Sequence, residues 1–107
     1  MPLYLSRFSY TPDAVKALVN SPADRAKAAG EAAESLGIKL IGFWYAFGEF
    51  DGVLLAEASD NATMAGMGML VAGSGALAKF ETTALLTMDE AQEAMRKAGA
   101  AAYQPPG

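Results

Sequence analysis

Few residues of this chain have side chains suited to catalysis, because the sequence contains no cysteine and no histidine. Composition therefore excludes thiolate nucleophiles, disulfides, Cys/His zinc sites, haem held by a proximal histidine and Ser-His-Asp triads. Carboxylates remain as metal ligands and favour Mg²⁺ or Ca²⁺, but no loop of the sequence is dense in them. We therefore expect neither a metal site nor a cofactor.

Two positions carry carboxylates in a setting that suggests chemistry. Asp51 lies with Glu49 in the Gly48–Gly52 turn, and Glu57 alternates with apolar residues along a predicted strand. A carboxylate held on an apolar face is a stronger base than one in water, so Glu57 is a candidate general base. Glu49 and Asp51, at the tip of the hairpin, are candidates to contact a ligand or a cation. The plainer interpretation is that Asp51 forms the turn and that Glu57 pairs with Lys79 or another cation.

Arg25 and three aromatic residues are candidates for ligand binding. Arg25 opens an alanine-rich helical segment, where its guanidinium and the free backbone N–H groups together favour an anion. Tyr4, Trp44 and Tyr45 are predicted to line an apolar pocket between helices and sheet. The alternatives are a surface arginine, and aromatic side chains that belong to the core or to an interface.

Alternating apolar residues and turn signals predict the strands that position these side chains. Strands are expected over 3–10 and 76–86, and a hairpin over 38–58 around the Gly48–Gly52 turn. Cap residues and prolines predict the helices between them. The expected helices are a short one over 12–19, the main helix over 22–36 ended by Gly37, one from Ser59 or Asp60 to about 72, and one over 88–98 opened by the capping box Thr87–Glu90.

The resulting order β-α-β-β-α-β-α predicts an α+β fold. Its first six elements match the ferredoxin-like βαββαβ arrangement, in which helices cover one face of a four-stranded antiparallel sheet. Right-handed crossovers predict the strand order 4-1-3-2. The length of 107 residues fits a single domain over 1–107, with an added C-terminal helix and a loose tail over 100–107.

The first strand of the hairpin has no polar face. Strict alternation places Ile41, Phe43, Tyr45 and Phe47 on one side, and Leu40 and Trp44 on the other. Because helices cover a single face of such a sheet, we expect a homodimer or higher oligomer, joined through sheet faces or as an edge-joined barrel. The alternative is that the C-terminal helix folds over the open face and keeps the protein monomeric.

One turn and the signals around it have the pattern of a known family. Gly48-Glu49-Phe50-Asp51 is followed by an apolar strand that ends in Glu57-Ala58-Ser59-Asp60. Further matching positions are Tyr4, Ser21-Pro22, Arg25, Gly37, Trp44-Tyr45, Gly75 and Thr82-Thr83-Ala84. The set resembles the GYD domain family of small bacterial and archaeal proteins, with Phe50 in place of the tyrosine in the Gly-Tyr-Asp turn. The resemblance spans residue 3 to about 88 and implies a ferredoxin-like fold related to dimeric α/β-barrel proteins, but no activity.

The net charge limits the classes of partner, and the amino-terminal sequence indicates the cellular location. A net charge of −4 without a Lys/Arg cluster disfavours nucleic acid and anionic membrane surfaces. The start Met1-Pro2-Leu3-Tyr4 lacks the features of a signal peptide, and no apolar run approaches the ~20 residues of a membrane span. The expected location is the cytoplasm.

These observations predict an uncharacterised small oligomeric domain that binds a small apolar or weakly anionic ligand. One alternative is a cofactor-independent enzyme of the dimeric α/β-barrel type, resembling a monooxygenase or an isomerase. Glu57 or Asp51 would then be its base, and Arg25 or Tyr4 would polarise the substrate. A second alternative is a structural or interaction module whose aromatic face serves assembly alone.

Overall fold

The computed structural model describes residues 1–107 and contains four strands and four helices. The strands are β1 (Leu3–Tyr10), β2 (Lys39–Tyr45), β3 (Gly52–Glu57) and β4 (Leu77–Leu85). The helices are α1 (Pro12–Asn20), α2 (Arg25–Ser35), α3 (Asn61–Ala72) and α4 (Met88–Ala100). This order confirms the predicted sequence of elements, including the break between the first two helices. None of the helices is long and apolar enough to cross a membrane.

The predicted sheet is confirmed in its strand order, β2-β3-β1-β4, and all of its pairs are antiparallel. The central strands β1 and β3 turn Tyr4, Phe8, Leu54 and Ala56 towards the helices, where these side chains are buried. Ser6 lies in the same row, and its hydroxyl shares a hydrogen bond of 2.8 Å with that of Thr82. The chain is therefore a mixed α+β domain with a ferredoxin-like sheet.

The main helix begins later than predicted. Asp24, rather than Ser21, caps α2, because its side chain accepts a hydrogen bond of 3.3 Å from the backbone N–H of Lys27. Both residues are good caps, so the local signal did not decide between them. The start of the helix at Arg25 places that side chain in the first turn of α2.

A bulge in β2 corrects the predicted assignment of its faces. Leu40 pairs with Ala56, whereas Gly42 pairs with Leu55, so one extra residue lies between the two pairs. The bulge brings Leu40 to the same face as Phe43, and both pack against the core. The prediction that Leu40 and Trp44 share a face was therefore wrong.

Gly52 in β3 leaves room for the Phe8 ring. The two residues are paired in the sheet, and a Cβ at Gly52 would collide with that ring, which is buried. At Gly48, in the turn, a Cβ would meet nothing within 4 Å.

We therefore expect Gly52→Ala to lower the free energy of unfolding by about 1–3 kcal/mol, since the added methyl overpacks the core. Gly48→Ala is the matched control and should change it by roughly 0.5 kcal/mol or less. Urea unfolding of both variants tests this difference. Equal stability of the two variants would show that the Phe8 ring does not lie over Gly52.

The face of the sheet turned away from α2 and α3 has no layer over it. The apolar side chains of this open face are Leu3, Leu5, Trp44, Val53, Leu55 and Leu85. Thr83 and the charged residues Arg7, Glu57 and Glu81 lie on the same face. Trp44 is 54% exposed, and α4 has no buried residue. The alternative in which the C-terminal helix covers this face is therefore wrong for the protomer.

Phe50 closes one end of the open face. Its ring lies 4.4 Å from the Arg7 guanidinium and 4.8 Å from the Lys79 ammonium, and it is 7% exposed. The two cations also pair with Glu81 at 3.1 Å and with Glu49 at 3.4 Å. Each cation gains a cation–π interaction with the ring, and the two interactions hold the turn against the sheet.

Candidate functional site

A cavity of about 300 Å³ lies between the sheet and the two helices that cover it. Its 15 lining residues include 13 hydrophobic ones, so its surface selects an apolar occupant. The lining consists of Phe8, Tyr10, Arg25, Ala28, Ala29, Ala32, Phe43, Leu54, Met67, Leu70, Val71, Ser74, Ala76, Leu77 and Phe80.

The cavity exists because the covering helices lie over the edges of the sheet. α2 packs on β2, and α3 packs on β4, which leaves a gap above the central strands. Towards this gap α2 presents the methyl groups of Ala28, Ala29 and Ala32, which are too short to fill it. Small residues on the helix and aromatic residues on the sheet thus produce a space that no side chain of the protomer occupies.

Four aromatic rings form a cluster at this end of the sheet, and three of them, Phe8, Tyr10 and Phe43, line the cavity. In this aromatic cluster the ring centroids of Phe8 lie 5.3 Å from Tyr10 and 5.5 Å from Phe43. Tyr45 completes the cycle at 5.6 Å from Phe43 and 6.2 Å from Tyr10. Edge-to-face and tilted pairs at these separations are favourable, so the floor is rigid before any ligand arrives.

The polar groups of the cavity are few and lie at its mouth. Arg25, in the first turn of α2, is the one charged residue of the lining, and Ser74 follows α3. The Tyr10 hydroxyl lies 3.2 Å from the Tyr45 hydroxyl. Burial, followed by the hydrogen bond and charge of Tyr45, raises the pKa of Tyr10, and the nearby Arg25 opposes this to a smaller extent. Tyr10 therefore remains a neutral hydrogen-bond donor at neutral pH.

No carboxylate lines this cavity. The Asp51 carboxylate accepts a hydrogen bond of 2.8 Å from the backbone N–H of Tyr10, so it holds the turn to the end of β1. Asp51 and Tyr45 instead border a shallower groove between α1 and the hairpin. No three acidic side chains come close enough to hold a metal ion.

The remaining predicted site residues lie elsewhere. Tyr4 is buried in the core, and its hydroxyl donates a hydrogen bond of 2.6 Å to Asn61 Oδ1. Trp44 is on the open face, where its ring lies over Gly42. Glu57 is on the same side, in register with Lys39 and Leu3. Its expected partner Lys79 is at the opposite end of the sheet and pairs with Glu49.

The structure therefore does not bring the six predicted residues into one pocket. Trp44 and Tyr45 are neighbours on a strand, so their side chains point to opposite faces. Among the six, Arg25 alone lines the cavity between the sheet, α2 and α3. The site residues that were missed are the aromatic residues of the floor and the alanines of α2. A row of aromatic residues in β1 opposite an alanine-rich helix was the signal that pointed to them.

Comparison with known proteins supports the fold. The profile of the GYD domain matches residues 4–95. The chain is similar to the transcriptional regulator NMB0573 from Neisseria meningitidis, whose structure is a complex with L-Met. The TM-score is 0.60 at 16% identity, over 81% of this chain and 51% of that one. This chain thus spans about half the length of that regulator.

Two further structures are similar. FFRP-DM1 has a TM-score of 0.51 at 9% identity, over 80% of this chain and 100% of that one. An uncharacterized NIPSNAP domain protein from Burkholderia xenovorans has a TM-score of 0.47 at 14% identity, over 81% and 94% of the two chains. No curated protein sequence matches the chain.

Proposed function

The chain belongs to the GYD domain family, and we propose that this member binds a small molecule with an apolar body and an anionic group. The observation that carries the proposal is the cavity between the sheet, α2 and α3. Its walls are apolar, and Arg25 is the one charged side chain at its mouth. A ligand of this class loses water from its apolar part and keeps its charge beside a cation.

The size of the cavity limits the ligand. Its volume of about 300 Å³ is at the lower end of the usual range for ligand sites, roughly 300–1,000 Å³. A short branched or aromatic carboxylic acid fits this range, and a long lipid chain does not. The regulator with a similar fold was solved with L-Met, which also combines an apolar side chain with a carboxylate. This similarity supports the proposed class of ligand only by analogy between the two folds.

Arg25 should provide the preference for an acid. We expect the protein to bind phenylacetate or 4-methylpentanoate about 10-fold or more tightly than the corresponding amides, since a charge-assisted hydrogen bond contributes about 1.5–3 kcal/mol. Arg25→Gln should remove this preference while the amide affinity stays unchanged. Calorimetric titration of both acid–amide pairs measures it.

Arg7→Gln is the matched control, because Arg7 lies on the other side of the sheet, beside Phe50. It should leave the preference for acids intact. Equal affinity for acids and amides in the unmodified protein, or the same loss in both variants, would contradict the proposal.

We also propose that the protein is a homodimer in which two open faces pack together, as in dimeric α/β-barrel proteins. Support comes from the central pair of Leu5 and Leu55, flanked by Leu3 and Val53, with no layer above them. An apolar row of this length is unusual for a sheet face in water.

The enzymatic alternative has less support. It needs Glu57 or Asp51 beside Arg25 or Tyr4, whereas Glu57 lies on the opposite side of the sheet from the cavity and the Asp51 carboxylate is bound to a backbone N–H. A binding domain needs no such base. The alternative of an interaction module agrees with the proposed dimer, in which the open face is the interface.

A further inference from the structure

No residue of the helix α4 is buried within its own protomer, and we propose that α4 packs against the β2 edge of a second copy of this chain. The proposal rests on the dimer proposed above and adds to it an exchange of C-terminal helices. In the proposed dimer, the apolar side of α4 contacts two exposed apolar residues of β2, Ile41 and Trp44.

The shape of the protomer and the exposure of α4 indicate that the C-terminal part of the chain projects from the domain. The radius of gyration is 17.3 Å, whereas a compact chain of this length has about 13 Å. The longest dimension is 57 Å against 36 and 22 Å for the other two. Every residue of α4 after Ala91 is exposed, and Met95 is 68% exposed.

The composition of α4 is that of a helix with a packing face. Its apolar residues recur at helical spacing along one side and form what we name the Met/Ala stripe. The stripe consists of Met88, Ala91, Ala94, Met95 and Ala98. The charged residues Asp89, Glu90, Glu93, Arg96 and Lys97 lie on the opposite side.

A helix of this kind needs a surface to pack on. It has 13 residues, and isolated helices shorter than about 12–15 residues are marginal in water. The capping box at Thr87 and Glu90 stabilises its first turn, but such a cap contributes only about 1 kcal/mol. A stable α4 therefore implies contacts that its own protomer does not supply.

The area of the interface favours a second copy as that surface. Four strands about 4.8 Å apart and about 20 Å long give the open face a plan area of roughly 400 Å². A standard interface buries about 800 Å² per partner. Exchange of helices adds α4 and the surface that receives the other α4, each about 20 Å long and 10 Å wide, or roughly 200 Å². Together with the open face, these two contributions give roughly 800 Å² per partner, the area of a standard interface.

The two edges of the sheet indicate which surface receives the helix. The edge strand β4 leads into α4, whereas the other edge strand, β2, carries Ile41 and Trp44, which are 44% and 54% exposed. When two sheets face each other about a two-fold axis along the strands, the β4 edge of each lies over the β2 edge of the other. The Met/Ala stripe then meets the Trp44 ring, which lies flat because Gly42 beneath it has no side chain.

Two identical substitutions on opposite sides of α4 test whether the stripe is buried. Ala98→Glu places a carboxylate in the stripe, and Ala100→Glu places one on the charged side. Both positions are exposed in the protomer, so both variants should fold. We expect Ala98→Glu to raise the dimer dissociation constant 10-fold or more, in the range reported for buried interface groups. Ala100→Glu should raise it about 3-fold or less, as at a rim position. Sedimentation equilibrium gives both constants.

The position of the helix can be read from Trp44, the one tryptophan of a chain without cysteine. A Trp44→Phe protein with Gln92→Cys carries a nitroxide beside the stripe and is mixed with unlabelled protein. We expect the label to quench the Trp44 fluorescence of the unlabelled copy at least 2-fold in mixed dimers. Lys16 is an exposed residue of α1. A nitroxide at Lys16→Cys should leave the Trp44 fluorescence unchanged.

The outcomes separate the two proposals. A protein that stays monomeric at millimolar concentration overturns the dimer and the exchange together. A dimer in which Ala98→Glu and Ala100→Glu have equal constants overturns the exchange and leaves the sheet-face dimer standing. A dimer with unequal constants but without quenching by the Gln92 label overturns the placement of α4 at the β2 edge.

Discussion

Replacing Leu55 with glutamate is expected to turn the dimer into a monomer. Leu55 pairs with Leu5 on one side and with Gly42 on the other, so it lies at the centre of the open face. An unpaired carboxylate buried in an apolar interface costs about 3–5 kcal/mol, and each copy contributes one. The cost of a single carboxylate, about 4 kcal/mol, already raises the dissociation constant by roughly three orders of magnitude, and the second carboxylate raises it further. Sedimentation velocity over a concentration series measures the change.

The protomer itself should tolerate Leu55→Glu. In the isolated chain the side chain at this position points away from the helices and towards water, so the carboxylate is not buried there. Leu36→Glu is the matched control, because Leu36 ends α2 on the helix-covered side and is already exposed. Leu36→Glu should have the same dimer dissociation constant as the unmodified protein. If Leu55→Glu dimerises as tightly as Leu36→Glu, the two sheet faces do not meet.

The parts of the fold that follow from local signals could be predicted from the sequence. The capping box is confirmed, since Thr87 Oγ1 accepts from the Glu90 N–H at 3.1 Å and Glu90 Oε1 accepts from the Thr87 N–H at 3.0 Å. Gly37 ends the main helix with a φ of +71°, a conformation that favours glycine. Both features depend on a few consecutive residues, which the sequence shows directly.

The parts that depend on pairing between strands could not be predicted from one strand alone. The bulge at Gly42 shifts β2 by one residue against β3, and a shift of one residue exchanges the faces. Nothing within 38–47 marks that shift, since apolar residues occupy both sides. The position of α2 over β2 and α3 over β4 is likewise a property of packing, and this placement determines the cavity.

The lining of the cavity differs from the predicted set of aromatic residues. An apolar pocket with Arg25 at its entrance is the arrangement observed, but Phe8, Phe43 and Phe80 form its floor. Tyr4 and Trp44, which were expected there, lie in the core and on the open face. Alternation separates Trp44 from Phe43, but it leaves Tyr4 on the same face as Phe8. The placement of α2 and α3 over the sheet therefore decides which aromatic residues line the cavity.

Filling the cavity should separate ligand binding from stability. Ala29 and Ala33 are one turn apart on α2, but Ala29 lines the cavity whereas Ala33 is fully buried against the core. We expect Ala29→Phe to weaken binding of phenylacetate by about 100-fold or more, since the ring occupies the space of a ligand of its own size. The free energy of unfolding should stay the same or rise, because the ring enters a space that is already present.

Ala33→Phe, the same change four residues later, should have the opposite result. No space exists beside Ala33, so the ring overpacks the core and lowers the free energy of unfolding by about 1–3 kcal/mol or more. Urea unfolding and calorimetric titration of both variants test the pair. If Ala29→Phe destabilises the protein as much as Ala33→Phe, the gap between α2 and α3 is closed in solution. The proposed binding site would then not exist, whatever the state of the dimer, because the cavity and the open face lie on opposite sides of one sheet.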